Sequence, residues 1–124
     1  MYNLELSVLN HTWILDLDGT LVKHNGYKLD GRDVFLPGAR EFLQAIPAED
    51  MVIILTSRED NYREMTESFL KAESIRYDHI IYNVPYGERI LVNDCKPSGL
   101  ETARSVNVRR DETMRINVIQ NPKL

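Results

Sequence analysis

The stretch from Trp13 to Leu21 constrains the fold of this chain more than any other. It begins with apolar residues that are typical of a buried strand, and two aspartates, Asp16 and Asp18, follow where that strand should end. In an open α/β sheet, ligands bind beyond the carboxyl ends of the strands, so both carboxylates should enter a site from one short segment. Gly19 permits a sharp turn directly after them.

Two carboxylates at this spacing suit three uses. They can hold a hard divalent cation through their oxygen atoms, or one can act as a nucleophile while the other transfers a proton. In the third interpretation they are solvated charges at the end of a strand. An isolated pair of aspartates favours that interpretation, but this pair is followed by Gly19, Thr20 and Leu21, which makes the pattern far more specific.

The string DLDGTL at residues 16–21 resembles the first motif of the haloacid dehalogenase superfamily, most of whose members are magnesium-dependent phosphatases and phosphotransferases. The resemblance implies that Asp16 attacks phosphorus and forms an aspartyl-phosphate. It implies that Asp18 protonates the leaving oxygen and then activates water. The implied fold is α/β, a three-layer Rossmann-like arrangement with a mainly parallel sheet and helices on both faces.

A second strand is predicted at residues 51–58: it is apolar as far as Leu55 and closes with the polar residues Thr56, Ser57 and Arg58. This pattern resembles the second motif of the superfamily. The resemblance implies that Thr56 binds the transferring phosphoryl group through its hydroxyl and that Ser57 supplies a backbone N–H. The residue types alone leave another interpretation open, because Ser and Thr also begin helices as N-caps.

A later strand, predicted at residues 90–94, also ends in an acidic residue, Asp94. The resemblance implies that Asp94 binds Mg²⁺ together with Asp16 and the backbone carbonyl of Asp18, although Asn93 stands where the family often has a second aspartate. Taken alone, an aspartate at the end of a strand is more often a turn former. The predicted cofactor is Mg²⁺.

The basic residue that neutralises the aspartyl-phosphate in this superfamily has no counterpart at its usual place. Lys71 falls in the middle of a predicted helix, and Arg89 begins the strand predicted at 90–94, at the wrong end of the sheet for the site. Lys96 follows Asp94 at the correct end. We therefore predict that Lys96 replaces the missing cation and binds the phosphoryl group.

Residues 22–36 carry turn signals typical of a small hairpin flap, with arms at 21–22 and 27–29, and they are too few for an inserted cap domain. The linker 84–88 is too short for a parallel crossover, so either the strand before it is very short or one strand runs antiparallel at an edge. Apolar periodicity predicts the other elements: a strand near 4–8, helices at 37–46 and 59–74, a strand at 77–83, and strand-like tail segments at 102–108 and 114–119.

Length and composition limit the class of protein. The 124 residues predict one domain, 1–124, without a second lobe. The net charge of −4 makes nucleic acid an unlikely main partner. The single Cys95 excludes an intrachain disulfide and suggests a reducing compartment, which predicts a cytoplasmic location. No apolar run is long enough for a membrane span, and the first residues lack the features of a signal peptide.

These features together predict a capless, Mg²⁺-dependent phosphomonoester hydrolase that acts through an aspartyl-phosphate. An open site needs a large substrate or a neighbouring subunit to exclude water. Capless members of the superfamily act on macromolecules and on phosphosugars, so the resemblance implies one of these substrate classes, and the acidic net charge favours a phosphorylated sugar or similar small metabolite. The strand-like tail predicts a homo-oligomer. Two alternatives remain open: a protein of this fold that has lost turnover and acts as a binding module, and a phosphatase that acts on a macromolecule.

Overall fold

A computed structural model describes all residues from 1 to 124. The chain forms five β-strands, three α-helices and one short 3-10 helix. In chain order these are β1 (Tyr2–Leu6), β2 (Thr12–Asp16), α1 (Gly26–Leu29), α2 (Ala39–Gln44), β3 (Met51–Leu55), the 3-10 helix (Asp60–Tyr62), α3 (Arg63–Ala72), β4 (His79–Ile81) and β5 (Ile116–Gln120).

The strands form two parallel sheets. One contains three strands in the order β2-β3-β4, and the other pairs β1 with β5. Helices α1 and α2 lie in the crossover from β2 to β3, and α3 lies in the crossover from β3 to β4. This arrangement confirms a mixed α/β fold with parallel sheets, whereas the three-layer arrangement stays a prediction.

The three-stranded sheet places the polar ends of β2 and β3 side by side, because Asp16 is the register partner of Leu55. Alternate residues of β3, Val52 and Ile54, are buried, whereas Met51 is exposed, so this strand is fully covered on one face and only partly covered on the other. Apolar side chains between β2 and the start of β4, together with Met114, form the core: Leu15, Leu17, Leu21, Val22, Leu36, Ala39, Leu43, Ile46, Val52, Ile54, Leu70, Ile75 and Met114.

Ile54 is fully buried in the middle strand of this sheet. We expect Ile54→Ala to lower the free energy of unfolding by about 2–5 kcal/mol, because the smaller side chain leaves a cavity. Urea denaturation followed by circular dichroism measures the change. Ile14→Ala in β2 is the matched control, since Ile14 is exposed, and equal losses for the two variants would contradict the described core.

Residues 90–94 are not a strand, contrary to the sequence prediction. Ile90, Leu91 and Val92 are exposed, and residues 85–95 make no backbone–backbone hydrogen bond. An apolar composition favours a strand only where a neighbouring strand offers hydrogen-bond partners. Here β2 pairs only with β3, and residues 90–94 do not pair with its other edge.

The flap predicted at residues 22–36 is only partly a hairpin. Val22 pairs with Phe35 in an antiparallel bridge, and the Lys23 N–H donates to the Val34 carbonyl at 3.0 Å. The predicted second arm is instead the helix α1. Asn25, in the left-handed conformation with φ of 57°, turns the chain directly before that helix.

The tail forms one strand, β5, and residues 102–108 form none. β5 pairs with β1 in the same chain, from Tyr2 with Ile116 to Leu6 with Gln120, so one edge of this strand is already used. The helices predicted at 37–46 and 59–74 and the strands predicted at 51–58 and 77–83 are present with shorter bounds, whereas the strand predicted near 4–8 is shifted to Tyr2–Leu6. No helix combines the length and the apolar character needed to cross a membrane.

Candidate functional site

Four of the residues predicted to form a site, Asp16, Asp18, Thr56 and Ser57, lie together at the carboxyl ends of β2 and β3. Asp16 is the last residue of β2, and Thr56 directly follows β3, whose last residue pairs with Asp16. Asp18 is joined to the segment after β3 by two hydrogen bonds from Arg58, of 2.9 and 3.0 Å. The structure therefore brings the first two sequence motifs to one edge of the sheet.

The loop that carries Asp18 is a tight turn. The N–H groups of Thr20, Leu21 and Val22 all point to the Leu17 carbonyl, at 3.3, 2.9 and 3.1 Å. Leu17 and Leu21 are fully buried, so the apolar residues of the motif anchor the turn in the core. As a result, the polar residues of the same motif are held at the surface.

Gly19 in this turn has φ of +83°, a conformation that favours glycine. The Arg110 side chain lies against it, so that a Cβ on Gly19 would lie 2.9 Å from Arg110 Cγ. The next residue, Asp111, donates its N–H to the Gly19 carbonyl at 2.9 Å and accepts from the His24 N–H at 2.7 Å. The tail turn at 109–112 thus packs on the motif, a contact that sequence reasoning missed.

Both carboxylate oxygens of Asp16 are engaged. Oδ2 accepts from the Thr20 hydroxyl at 2.9 Å, and Oδ1 accepts from Arg89 Nη1 at 2.8 Å. Both members of the ion pair are 36% exposed, so solvent and a substrate can reach them. Thr20 and Arg89 fix the orientation of the carboxylate while leaving it accessible.

Arg89 is a site residue that the sequence prediction placed at the wrong end of the sheet. That placement required a strand at 90–94, which is not formed. In the structure the chain after β4 is held at the carboxyl edge, because Val84 N–H donates to the Thr56 carbonyl at 3.1 Å. The sequence did contain a signal for this position. The linker 84–88 after β4 is too short to carry Arg89 back to the amino ends of the strands.

Arg58 is the most buried charged group of the site. Its guanidinium donates to Asp18, to Asp33 and to the Thr66 hydroxyl at distances between 2.7 and 3.0 Å. Its centre lies 3.9 Å from the centroid of the Tyr27 ring, a cation–π contact. Arg58 therefore connects the first motif to the flap and to α3.

Burial and charge shift two pKa values in this cluster. Burial raises the pKa of Tyr27, and the neighbouring Asp18 carboxylate raises it further. Burial lowers the pKa of Arg58, but hydrogen bonds to Asp18 and Asp33 more than offset this effect, so its net pKa lies above the ordinary value. Arg58 is a permanent cation.

The two hydroxyls after β3 differ in availability. Thr56 is buried, and its Oγ1 accepts from the Arg58 N–H at 3.1 Å, a local turn contact rather than a cap of the following helix. Ser57 is half-buried, and its hydroxyl makes no hydrogen bond in the structure. Of these two residues, Ser57 has the hydroxyl that is free to bind a ligand.

The structure does not bring Asp94 or Lys96 to this site through any hydrogen bond or ion pair. Asp94 accepts from the Thr102 hydroxyl only through its backbone carbonyl, and the Lys96 ammonium has no partner. Both residues follow the unpaired segment 90–92, so no strand carries them to β2. The predicted phosphoryl-binding role of Lys96 stays a prediction without a structural contact.

The carboxylates as folded do not fit a magnesium ion. The predicted set of Asp16, Asp18 and Asp94 is not assembled, and no group of three His, Cys, Asp or Glu side chains is arranged to hold a metal. The oxygens of Asp16 and Asp18 instead accept from guanidinium and hydroxyl groups. Hard cations need several oxygen ligands converging on one point, and the side chains alone do not supply them here, so the predicted Mg²⁺ site with the Asp18 backbone carbonyl stays a prediction.

Comparison with known proteins finds similarity among solved structures. No protein-family model and no curated protein matches the chain. A chain of the Pnkp1/Rnl/Hen1 complex is 32% identical with a TM-score of 0.52, and the match covers 67% of this chain and 31% of that one. A chain of the Pnkp1/Rnl/Hen1 RNA repair complex is also 32% identical with a TM-score of 0.52, over 72% and 30% of the two chains. The chain thus spans less than one third of the solved chains it resembles.

Proposed function

We propose that this chain is a phosphomonoester hydrolase of the haloacid dehalogenase type, with the three-layer fold of that superfamily, and that it removes the terminal phosphate of an RNA. The observation that carries the proposal is the position of Asp16 and Asp18. Both carboxylates stand at the carboxyl edge of a parallel sheet, beside the hydroxyls that follow β3. This is where α/β proteins bind ligands.

The proposed mechanism gives the two aspartates the roles that the resemblance implies. Asp16 attacks phosphorus, so that an Oδ–P bond forms while the bond from phosphorus to the ester oxygen breaks, and Asp18 donates a proton to the departing oxygen. Water then attacks the phosphorus of the aspartyl-phosphate, Asp18 accepts its proton, the Oδ–P bond to Asp16 breaks, and inorganic phosphate leaves. A carboxylate has about four lone-pair positions, so Asp18 can exchange a proton while it remains paired with Arg58.

Arg89 and Ser57 are the groups available to the phosphoryl oxygens. Arg89 uses one N–H on Asp16 and is partly exposed, so other N–H groups can point towards the substrate. We expect Arg89→Ala to lower kcat about 10²-fold, the loss typical of removing one donor from a developing anion. Phosphate release measures kcat, and Lys96→Ala is assayed in parallel for comparison. A larger loss for Lys96→Ala than for Arg89→Ala would favour the sequence-based assignment instead.

Two observations support RNA as the substrate class. The similar solved chains come from an RNA repair complex, and the site has no cap, so a large substrate can itself exclude water. The net charge of −4 belongs to the whole chain. Beside the motif, Arg110 is exposed, makes no ion pair and lies against Gly19, which gives a local cation for a phosphate backbone.

We expect Arg110→Ala to raise KM for an end-phosphorylated RNA and to reduce the salt dependence of binding, with kcat unchanged, because a backbone contact adds affinity without touching the reacting group. Steady-state kinetics at two salt concentrations measure both effects. Arg109→Ala is the control, since Arg109 is a neighbouring exposed arginine within 3.9 Å of Glu112. Identical behaviour of the two variants would remove Arg110 from the RNA-binding surface.

The substrate proposal is tested by a phosphate-release screen. It compares RNA and DNA with 3′- or 5′-terminal phosphates, phosphopeptides, sugar phosphates and p-nitrophenyl phosphate, each with added Mg²⁺ and with chelator. We expect the highest kcat/KM on an RNA end. The Mg²⁺ requirement implied by the resemblance stays a prediction that the chelator arm decides. Activity confined to sugar phosphates would contradict the RNA proposal and support the sequence-based one.

A binding module is the second candidate function. It is favoured by the engagement of both Asp16 oxygens and by the separation of Asp94 from the site. In that case wild type and Asp16→Asn should show equal background rates on every substrate while still binding end-phosphorylated RNA. Sedimentation of the protein with and without RNA, run beside the screen, also tests the predicted homo-oligomer.

A further inference from the structure

We propose that Arg58 is a positioning residue, which holds the Asp18 carboxylate in place and is itself held by the buried Asp33. In this arrangement Arg58 does not bind the phosphoryl group, although it is a cation next to the site. The inference rests on the proposed function, because it gives Arg58 its effect through the proton transfer assigned to Asp18.

Every N–H of the Arg58 guanidinium already has an acceptor. A guanidinium carries five N–H donors in a fixed plane. Nε and Nη2 donate to the two oxygens of Asp18, Nη2 and Nη1 donate to the two oxygens of Asp33, and Nη1 also donates to Thr66 Oγ1. No donor remains for a substrate oxygen, which separates Arg58 from the partly exposed Arg89.

Burial makes this arrangement rigid. The side chains of Arg58 and Asp33 are 0% and 1% exposed, whereas that of Asp18 is 18% exposed. The Tyr27 ring covers one face of the guanidinium, and Thr66 is fixed by donating its hydroxyl to the Tyr62 carbonyl at 2.7 Å. Only the Asp18 end of the cluster reaches solvent, so the buried groups act on the site through that carboxylate.

The two carboxylates accept in the same bidentate manner from two neighbouring edges of the guanidinium, which share Nη2. Paired N–H···O bonds fix the plane of each carboxylate as well as its distance. Asp33 therefore determines the rotation of Arg58, and Arg58 determines the rotation of Asp18. A change at Asp33 should misdirect Asp18 even though Asp33 touches neither substrate nor Asp16.

The first test is kinetic and uses Asp33→Asn, which keeps the size of the side chain and removes its charge. We expect kcat to fall about 10²-fold, the loss typical of a misplacement of about 1 Å, with KM within twofold of wild type. Asp50→Asn is the matched control: Asp50 is equally buried but accepts from the His11 N–H and Trp13 Nε1, far from the site in the sheet. It should leave kcat unchanged when assayed well below the unfolding temperature.

A double-mutant cycle separates positioning from a merely structural role. If Asp33 acts through Asp18, Asp33→Asn should lower the residual rate of Asp18→Asn no further. The same fold loss in both backgrounds would overturn the inference. Should Asp33→Asn fail to fold, Thr66→Val removes a single acceptor of Arg58 and should show the same dependence on Asp18 with a smaller loss of kcat.

An unfolding cycle keeps the inference distinct from the proposed function. The urea midpoints of Asp18→Asn, Asp33→Asn and the double variant should be non-additive, because both side chains bind one arginine. The pair Asp18→Asn and Asp50→Asn should be additive. If the wild type shows no turnover on any substrate, the proposed function fails. A non-additive cycle would still support the arrangement in which Asp33 holds Arg58 and Arg58 holds Asp18. An additive cycle would overturn the positioning role of Arg58, whether or not the wild type is active.

Discussion

Asp16→Asn is expected to lower phosphate release at least about 10⁴-fold, the order lost when a catalytic nucleophile is removed. The amide is not nucleophilic enough to attack phosphorus, so no aspartyl-phosphate forms. The fold should be retained, because Asp16 is partly exposed and its ion pair with Arg89 is a surface pair worth at most about 1 kcal/mol. Phosphate release on an end-phosphorylated RNA, and on p-nitrophenyl phosphate, measures the effect.

Asp78→Asn is the matched control for that substitution. Asp78 is also a partly exposed aspartate in an ion pair, with Arg76 at 3.0 Å, but it precedes β4 at the opposite end of the sheet. Its replacement should leave the rate unchanged. A wild-type rate in Asp16→Asn would remove Asp16 as the nucleophile.

Arg58→Ala is expected to lower the free energy of unfolding by about 3–5 kcal/mol, because removal of one partner leaves the buried Asp33 carboxylate without its cation. The loss also opens a space beneath the Tyr27 ring. Urea denaturation followed by circular dichroism measures it. Arg58→Lys should recover only part of the loss, since an ammonium cannot reproduce the planar five-donor pattern.

The control for Arg58 is an arginine in an exposed ion pair. Arg76 is 40% exposed and pairs with Asp78. Arg76→Ala should therefore cost no more than about 1 kcal/mol. If Arg58→Ala is no more destabilising than this control, the buried cluster of Arg58, Asp18 and Asp33 does not contribute to stability as described.

The parts of the site that follow local sequence patterns could be predicted. Asp16 ends one apolar strand, Asp18 lies two residues further on, and Thr56 directly follows the neighbouring strand. Parallel strands bring such ends together, so the proximity of these residues follows from the pattern. The role of Arg58 could not be predicted in this way. Its partners Asp18 and Asp33 lie 40 and 25 residues away in sequence, and the burial of a charge becomes visible only in three dimensions.

The second half of the chain was less predictable because its apolar pattern does not specify a partner. Residues 90–92 have the composition of a strand but remain exposed and unpaired. Because this strand is not formed, Arg89 lies beside Asp16 and not at the far end of the sheet, where the sequence prediction placed it. For the same reason Asp94 and Lys96 make no hydrogen bond or ion pair with the site. Strand propensity depends on the neighbouring strand, which a single sequence does not identify.

The most direct test of the central claim is to trap the intermediate on Asp16. Wild-type protein is mixed with an end-phosphorylated RNA, quenched in acid and treated with borohydride, which reduces an acyl-phosphate of aspartate to homoserine. Mass spectrometry of the peptide that contains residues 16–21 then locates the change. The account predicts homoserine at position 16 in the wild type and none in Asp16→Asn or without substrate. Phosphate release without reduction at Asp16, or homoserine at another aspartate, would contradict it.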